Sequence, residues 1–472
     1  MNIIQQIVMK TVVQIEEKIY ENGLCDITTL AKALSEDANE MVLEVLKHVV
    51  ELADEALVNG AKAMRRKDGI TVKERGVERS VMTALGEFKY KRTYFANPDG
   101  TYMYLLDQLI GIEPYERFSR DIVAEILQAS TTLSYEKAAG GKMSRQAVHD
   151  HLVDMLDLVQ PVSREEKTPE VLDIFADEDH VHLNPKGSAI VPIVTVTEGI
   201  DSSNPKRHRT IAPLHIAAYG MQIDAFRENV LAVLTEKYDL DKVRQINIHA
   251  DGGIWIAGLQ DLLPRSRIVL DGFHLERDLR SFLNMKGAKP YAAAIRRCMS
   301  RDDGCSDFLG YCYDIYTQQD NDDDKEKIVS FMSFCDGHWN SIVPRMKKET
   351  CGSCTEPLVS HVLSERLSRD PIAWSRKGLQ KMTMLVVYAK NGGVVRAEDV
   401  RRRTDSNAET QFREEGYAAY REYASKQAEA VLKEKHDWSI FEHEYRSFGK
   451  IDGPFMIRKA FGSLRSLTER VS

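Results

Sequence analysis

Residues 243–274, VRQINIHADGGIWIAGLQDLLPRSRIVLDGFH, constrain the fold more than any other stretch. Apolar residues alternate through Ile246, Ile248 and Ala250 and stop at Asp251, after which Gly252-Gly253 opens an apolar run through Ile254, Trp255, Ile256 and Leu259. A period of two specifies a strand, the glycine pair a turn, and the run beyond it a helix. A second apolar run, Arg267 to Leu270, ends in the same way on Asp271-Gly272. Strand, helix and strand, with carboxylates at the strand ends, call for an α/β sheet, and strand ends are where such sheets carry their sites.

The chain is 472 residues long, more than one hydrophobic core usually organises, so two to four units are expected. With 43% hydrophobic and 29% charged residues the composition is that of an ordinary globular protein. A net charge of −8 gives no global basic signal, so any contact with nucleic acid has to come from local patches. The opening segment, MNIIQQIVMKTVVQIEEKIYENG, lacks the unbroken apolar core of a signal peptide, and the runs Ile190 to Val194 and Met384 to Ala389 are far too short to cross a bilayer. These features lead us to expect a cytoplasmic protein with no membrane partner. Seven dispersed cysteines, an odd number, suit reduced thiols.

Along the chain, residues 1–66 have helical periodicity, and 67–112 read as a small β unit: Val77 to Leu85 and Phe88 to Phe95 alternate like a hairpin, and Asn97-Pro-Asp-Gly100 is a strong turn. Lys89, Lys91 and Arg92 interleave there with tyrosines, a pattern that suits either a nucleic-acid strand or a solvated hairpin face. Residues 113–167 return to helix, with Ser119, Ser134 and Ser144 as N-caps. Gly140-Gly141-Lys142-Met143 joins the last two helices as in a helix-turn-helix, and Lys142, Ser144, Arg145, Gln146 and His149 stand where a recognition helix meets DNA.

From 168 to 395 the pattern becomes α/β. Val171 to Asp177, Ala189 to Thr197 and Thr210 to Tyr219 read as strands and Asp224 to Lys237 as a helix, followed by the strand–helix–strand stretch. A basic loop containing Lys206, Arg207 and Arg209 joins the second and third strands. A helical insertion occupies about 276–350, and 396–472 is a charged helical C-terminal region. Three antiparallel strands, a helix and two further strands are the order of a ribonuclease-H-like mixed sheet.

In such a sheet the ends of the first and fourth strands adjoin, so Asp177 and Asp251, 74 residues apart, are expected side by side. Two carboxylates so placed repel unless a cation lies between them. Mg²⁺ accepts a few carboxylates together with water and substrate phosphate, and a pair of such ions serves phosphodiester chemistry. Glu356, opening the helix through Val359 and Val362, is the best-placed third ligand. Asp179 remains open as the alternative to Asp177, Asp251 could serve only as a turn residue, and Glu356 could be a solvated helix-start glutamate. Cys351-Gly-Ser-Cys354 is half of a zinc site, with Cys335 and His338 the nearest, poorly spaced second half.

ADEDHVHL (176–183), HADGGIWIAGL (249–259), LDGFHLERDL (270–279) and CGSCTEPLVSHVLSERLSRDPIAWS (351–375) together resemble a bacterial insertion-sequence transposase family of the Asp-Asp-Glu type, similar to the Mutator-like group. The resemblance covers roughly 75–450 and rests on the ordered set of four motifs, each weak alone. It implies a metal-dependent DNA transposase that cuts and joins strands at inverted-repeat ends. It further implies Asp177, Asp251 and Glu356 as ligands of two Mg²⁺ (or Mn²⁺) ions, DNA ends and target DNA as partners, and a homo-oligomer. Asp271, His274, His361 and Trp374 would be supports. One departure is Pro357-Leu358, where the family pattern has Gly-His.

Overall fold

The computed structural model of the chain describes residues 27–400, apart from 61, 166–167, 202, 205–208, 252, 353 and 370–371, together with 414–426 and isolated positions before 27. Lys206 and Arg207 of the basic loop therefore lie outside the described residues, as do Arg401 to Arg403 and most of the C-terminal region. Two compact units emerge, one from 1–117 with 404–472 and the other from 118–403.

In the first unit a long helix, α1 (Ile27–Glu55), leads through a π turn and α2 (Lys62–Lys67) into the hairpin β1 (Thr71–Thr83) and β2 (Gly86–Ala96), the short β3 (Tyr102–Met103) and α3 (Leu105–Ile110). The strands pair antiparallel in the order β1-β2-β3. Val50, Ala53 and Leu57 share one core with Val81, Phe88, Tyr90, Phe95, Leu105 and Leu109, so the helical region and the β unit expected from sequence pack as one body. Asp107, itself buried, accepts from Arg79 (2.9 Å), the Tyr90 hydroxyl (2.8 Å) and Arg92. Arg92 is thus a core ion-pair partner and not a surface cation for nucleic acid, whereas Lys89 and Lys91 stay exposed. Burial pushes the Tyr90 phenol up to about 12.

The second unit begins with α4 (Arg120–Ala129), α5 (Tyr135–Ala139) and α6 (Arg145–Asp154). Ser134 and Ser144 cap α5 and α6 as the sequence predicts, accepting from Lys137 N and Ala147 N. Gly140 and Gly141, at φ 53° and 80°, make the turn between them, a conformation that other residues adopt only at a cost. The sheet follows: β4 (Val171–His182), β5 (Ser188–Thr197), a two-residue ladder of β6 (Ile200–Asp201) with β7 (Arg209–Thr210), β8 (Leu214–Ala217), α7 (Ile223–Lys237), β9 (Gln245–Ala250), α8 (Ile254–Leu262) and β10 (Ser266–Leu270).

Its five strands lie in the order β10-β9-β4-β5-β8, with β4, β5 and β8 antiparallel and β9 and β10 parallel to β4. The strand expected to end at Asp177 runs on to His182, because its ladder with β5 continues as far as His182↔Ser188. The expected strand Thr210 to Tyr219 splits into β7 and β8.

Binary patterning assigns the two faces of β4. Leu172, Ile174 and Ala176 join Ile246, Ile248 and Ala250 under Phe226, Val230 and Leu234 of α7 and Leu259 of α8. The opposite face carries Asp173, Phe175, Asp177 and Asp179 in alternation, and only beyond them do Val181 and Leu183 bury against a second helical layer. That layer consists of α4, α6, a π turn (Ser360–Ser364) and α16 (Arg376–Lys390), the last supplying Leu379, Met382, Leu385 and Val386.

Between β10 and this layer runs a helical excursion: α9 (Gly272–Leu283), α10 (Ala292–Met299), α11 (Cys305–Thr317), α12 (Asp322–Gly337), α13 (Trp339–Met346), α14 (Thr355–Val359) and the single turn α15 (Glu365–Leu367). The helices α9 to α13 share a core of Leu279, Phe282, Phe308, Cys312, Phe331 and Trp339. The insertion expected from 276 to 350 is therefore helical, with α11 and α13 added, which sequence periodicity did not reveal. No described helix is long and apolar enough to cross a membrane.

Candidate functional site

The register of the two central parallel strands sets the site. The last β4–β9 pair is Phe175↔His249, and Asp177 and Asp251 each follow that pair by two residues, close enough for the Asp251 charge to act on the Asp177 carboxyl. Asp177 is thus in mid-strand, while Asp251 stands on the turn just past β9. Asp177 Oδ1 accepts from Glu178 N (2.8 Å), and Asp251 Oδ1 from Gly253 N (3.1 Å). The turn role anticipated for Asp251 is therefore real, and it engages one oxygen of an exposed carboxylate.

Glu356 arrives from the first turn of α14, its side chain 57% exposed, with Oε1 3.3 Å from His274 Nε2. Pro357 falls in that same first turn, where backbone N–H groups have no intrahelical acceptor, so the departure from the family pattern is accommodated.

Electrostatics tie the three together. Burial, opposed by the Glu178 backbone bond and reinforced by the negative charges of Asp251 and Glu356, pushes the Asp177 carboxyl up to about 6. Asp251 and Glu356 are thus both in Coulombic reach of Asp177, while Glu356 is itself flanked by His274 and within reach of the Arg277 guanidinium. The three acids are nonetheless spread more widely than a single-ion cage: among the described residues, the group of three His, Cys, Asp or Glu ligand atoms lying within 4.8 Å of one another is Asp173, His249 and Cys351.

Asp179 is excluded as the site acid by its own partners. It is buried and accepts from Ser364 (3.1 Å), at the end of the π turn, and Ser368 (2.9 Å), just past α15, which fasten that stretch to the sheet.

Beneath the acids lies a polar layer that sequence reasoning did not anticipate. Asp173 accepts from His249 Nε2 (2.8 Å) and Asn247 Nδ2 (3.1 Å), and the His249 ring stacks on Phe175 at 4.6 Å. Arg345, from α13, reaches His249 Nδ1 (2.9 Å). Asp271, 1% exposed, caps α9 through Phe273 N (2.8 Å) and accepts from Thr355 Oγ1 (3.0 Å), the residue before Glu356. The alternation of Asp173 with apolar neighbours was the one sequence signal for this layer.

The proposed supports divide. Asp271 is a buried strut and His274 touches Glu356. Trp374 is buried with Nε1 donating to Leu367 O (2.9 Å), under the Arg366 guanidinium at 4.7 Å. His361 is exposed and pairs with Glu365 at 3.0 Å. The expected second half of a zinc site does not form: Cys335 is buried in the insertion core, and His338 Nδ1 pairs with Phe334 O, while Cys351 lies 3.5 Å from His249.

Of the nucleic-acid candidates, Lys142, Ser144, Arg145 and Gln146 are exposed at the start of α6, although Gln146 also bonds Asp150 (2.7 Å). His149, partly exposed, meets Ser375 Oγ (3.0 Å) at the cap of α16 and Asp150 (3.3 Å). Arg209 is exposed on β7.

Fold and site define a mixed α/β protein with an acidic, solvent-open centre where two parallel strands meet a helix from the far side of a long insertion. The chain belongs to the uncharacterised protein family UPF0236, whose model matches residues 19–404. It is similar to a UPF0236 protein of Caldanaerobacter subterraneus subsp. tengcongensis whose name joins eleven locus tags, 29% identical over 403 residues, 83% of this chain and 84% of the relative. A second protein of that organism, its name joining four tags, is 28% identical over 424 residues, 86% and 88% of the two chains. A third relative, a UPF0236 protein "in vanSb 3'region" of Streptococcus gallolyticus, is 23% identical over 399 residues, covering 78% of this chain and 86% of its own.

Proposed function

We propose that the protein is the DNA transposase of an insertion sequence, cutting phosphodiesters at the element's inverted-repeat ends and joining them to target DNA. The observation that carries the reading is that the charges of Asp251, just past one strand, and Glu356, on a distant helix, both raise the pKa of the Asp177 carboxyl on the adjacent strand. A set of carboxylates of this kind suits divalent cations, since hard oxygen donors at a solvent-open site leave room for water and phosphate.

Those three residues would hold two Mg²⁺ or Mn²⁺ ions. When bound, the ions supply activation of the attacking oxygen and stabilisation of the leaving one. Asp177 and Asp251 form the fixed floor, each with one oxygen restrained by a backbone N–H. Glu356, exposed on the first turn of α14, would close the set from the side, with His274 beside it.

The sheet order, antiparallel strands followed by parallel ones beside the first, supports a ribonuclease-H-like assignment. The α5–α6 pair supports a helix-turn-helix that presents Lys142, Ser144 and Arg145 to DNA, with Arg209 as a further phosphate contact. Gene copy number supports mobility: a relative's name that joins eleven loci of one organism fits a protein encoded by an element that copies itself. Bringing two ends together would require a homo-oligomer.

The test uses the purified chain with DNA carrying the inverted repeats that flank its coding region. Wild type with Mg²⁺ or Mn²⁺ should cut at the ends and form joined products, and Asp251→Asn should shift the DNA without cutting it. Cutting with no joined product would point to a ribonuclease-H-like nuclease, and cutting by Asp251→Asn would remove the site assignment.

A further inference from the structure

One guanidinium connects three segments next to the site. Arg345, on the last helix of the insertion, donates from Nε to Leu270 O (3.1 Å), from Nη1 to Cys351 O (2.7 Å) and from Nη2 to His249 Nδ1 (2.9 Å). Leu270 ends β10 and precedes Asp271, the strut beneath Thr355. Cys351 lies on the segment that enters α14 and Glu356, and His249 is two residues before Asp251. The fork thus spans three pieces of chain, each running directly into a group of the site.

The same bonds settle the chemistry of His249. An arginine only donates, so Nδ1 must accept, and the ring proton is on Nε2, donated to Asp173 at 2.8 Å. The buried charges then balance as Arg345⁺ and Asp173⁻ across a neutral imidazole that is stacked on Phe175. These bonds compete with the other use of the cluster. Asp173, His249 and Cys351 have ligand atoms close enough for a zinc ion, but Nε2 is protonated while Arg345 holds Nδ1, and the guanidinium is kept in place by two carbonyls.

We propose that Arg345 is the positioning residue of the three-carboxylate centre, setting Asp251 and Glu356 at the spacing that captures divalent cations. The docked insertion is therefore part of the site and not an appendage to it. The proposal rests on the metal-dependent reading above. Lysine cannot substitute, because a point charge on a flexible stem reaches one of the three acceptors and not all of them.

The experiment is a Tb³⁺ luminescence titration of the full chain, with thermal melting alongside. Removing outer partners of metal ligands typically weakens metal affinity about 10–100-fold, and that loss is expected for Arg345→Lys while Lys347→Ala binds as wild type does. For Arg345→Ala, millimolar guanidinium should restore most of the affinity and methylammonium should not, a discrimination that a merely structural role would not produce.

Wild-type affinity in Arg345→Lys overturns the proposal. So does a Lys variant that fails to fold, an Ala variant that guanidinium does not rescue, or stoichiometric zinc in the purified protein that Cys351→Ser removes. Failure of the underlying reading is seen separately: wild type would then bind no Tb³⁺, or Asp177→Asn would bind it unchanged.

Discussion

Replacing Asp177 by Asn should stabilise the metal-free protein while abolishing its chemistry. Burial and the charges of Asp251 and Glu356 lift the folded-state carboxyl from 3.8 to about 6. Two pKa units correspond to roughly 3 kcal/mol. The group is only partly buried, so solvent screening reduces the expected penalty to about 1–2 kcal/mol. The sign follows from linkage. A carboxyl whose folded pKa is raised favours folding when protonated, so its contribution is intact below the unfolded value of 3.8 and is lost as pH rises to about 6. Above that window the wild type bears the full repulsion and the Asn variant does not. In EDTA at pH 7.5, Asp177→Asn should melt about 2–4 °C higher than wild type, and the difference should close near pH 4. Adding Mg²⁺ should reverse the order, since only the wild type retains the complete donor set. Equal or lower stability of Asn at pH 7.5 in EDTA, or a gain that persists unchanged at pH 4, would refute the account of three acids sharing one site.

Further measurements separate the neighbours of that site. Asp179→Ala should keep metal-dependent cutting, because Asp179 fastens Ser364 and Ser368, and loss of those acceptors should be seen as a lower melting temperature. Leu379→Ala, at a fully buried position beneath the sheet, should cost about 2–5 kcal/mol by chemical denaturation, and a cost under 1 kcal/mol would mean that α16 is not a core element. Arg145→Ala should weaken binding to the element's ends more than to random DNA in a competition shift assay, and equal loss on both would make it a phosphate contact only.

The sequence was most legible where a local period determines the structure. The alternation in 171–177 and 245–250 and the glycine turn after Asp251 gave the strands, and the serines at 134 and 144 gave two helix starts. It was less legible wherever the partner lies far along the chain. Arg92 reads as a surface cation beside tyrosines until Asp107, fifteen residues on, folds beneath it. His149 reads as a base-contacting residue until Ser375, 226 residues away, meets its ring.

By itself, then, the sequence determined which side chains can alternate onto a polar strand face, because backbone geometry ties face to residue parity, while the end of β4 was misplaced at Asp177. It also supplied an ordered set of motifs that selects the three acids. Only the tertiary structure decided that β4 and β9 pair in parallel as far as Phe175 and His249, that Asp179 accepts from Ser364 and Ser368, and that Arg345 bonds His249 and the carbonyl of Cys351. The physical reason is that a hydrogen-bond donor can satisfy any acceptor within reach. Which acceptor it meets across a hundred residues is fixed by the packing of whole elements, and no local pattern in the chain encodes that choice.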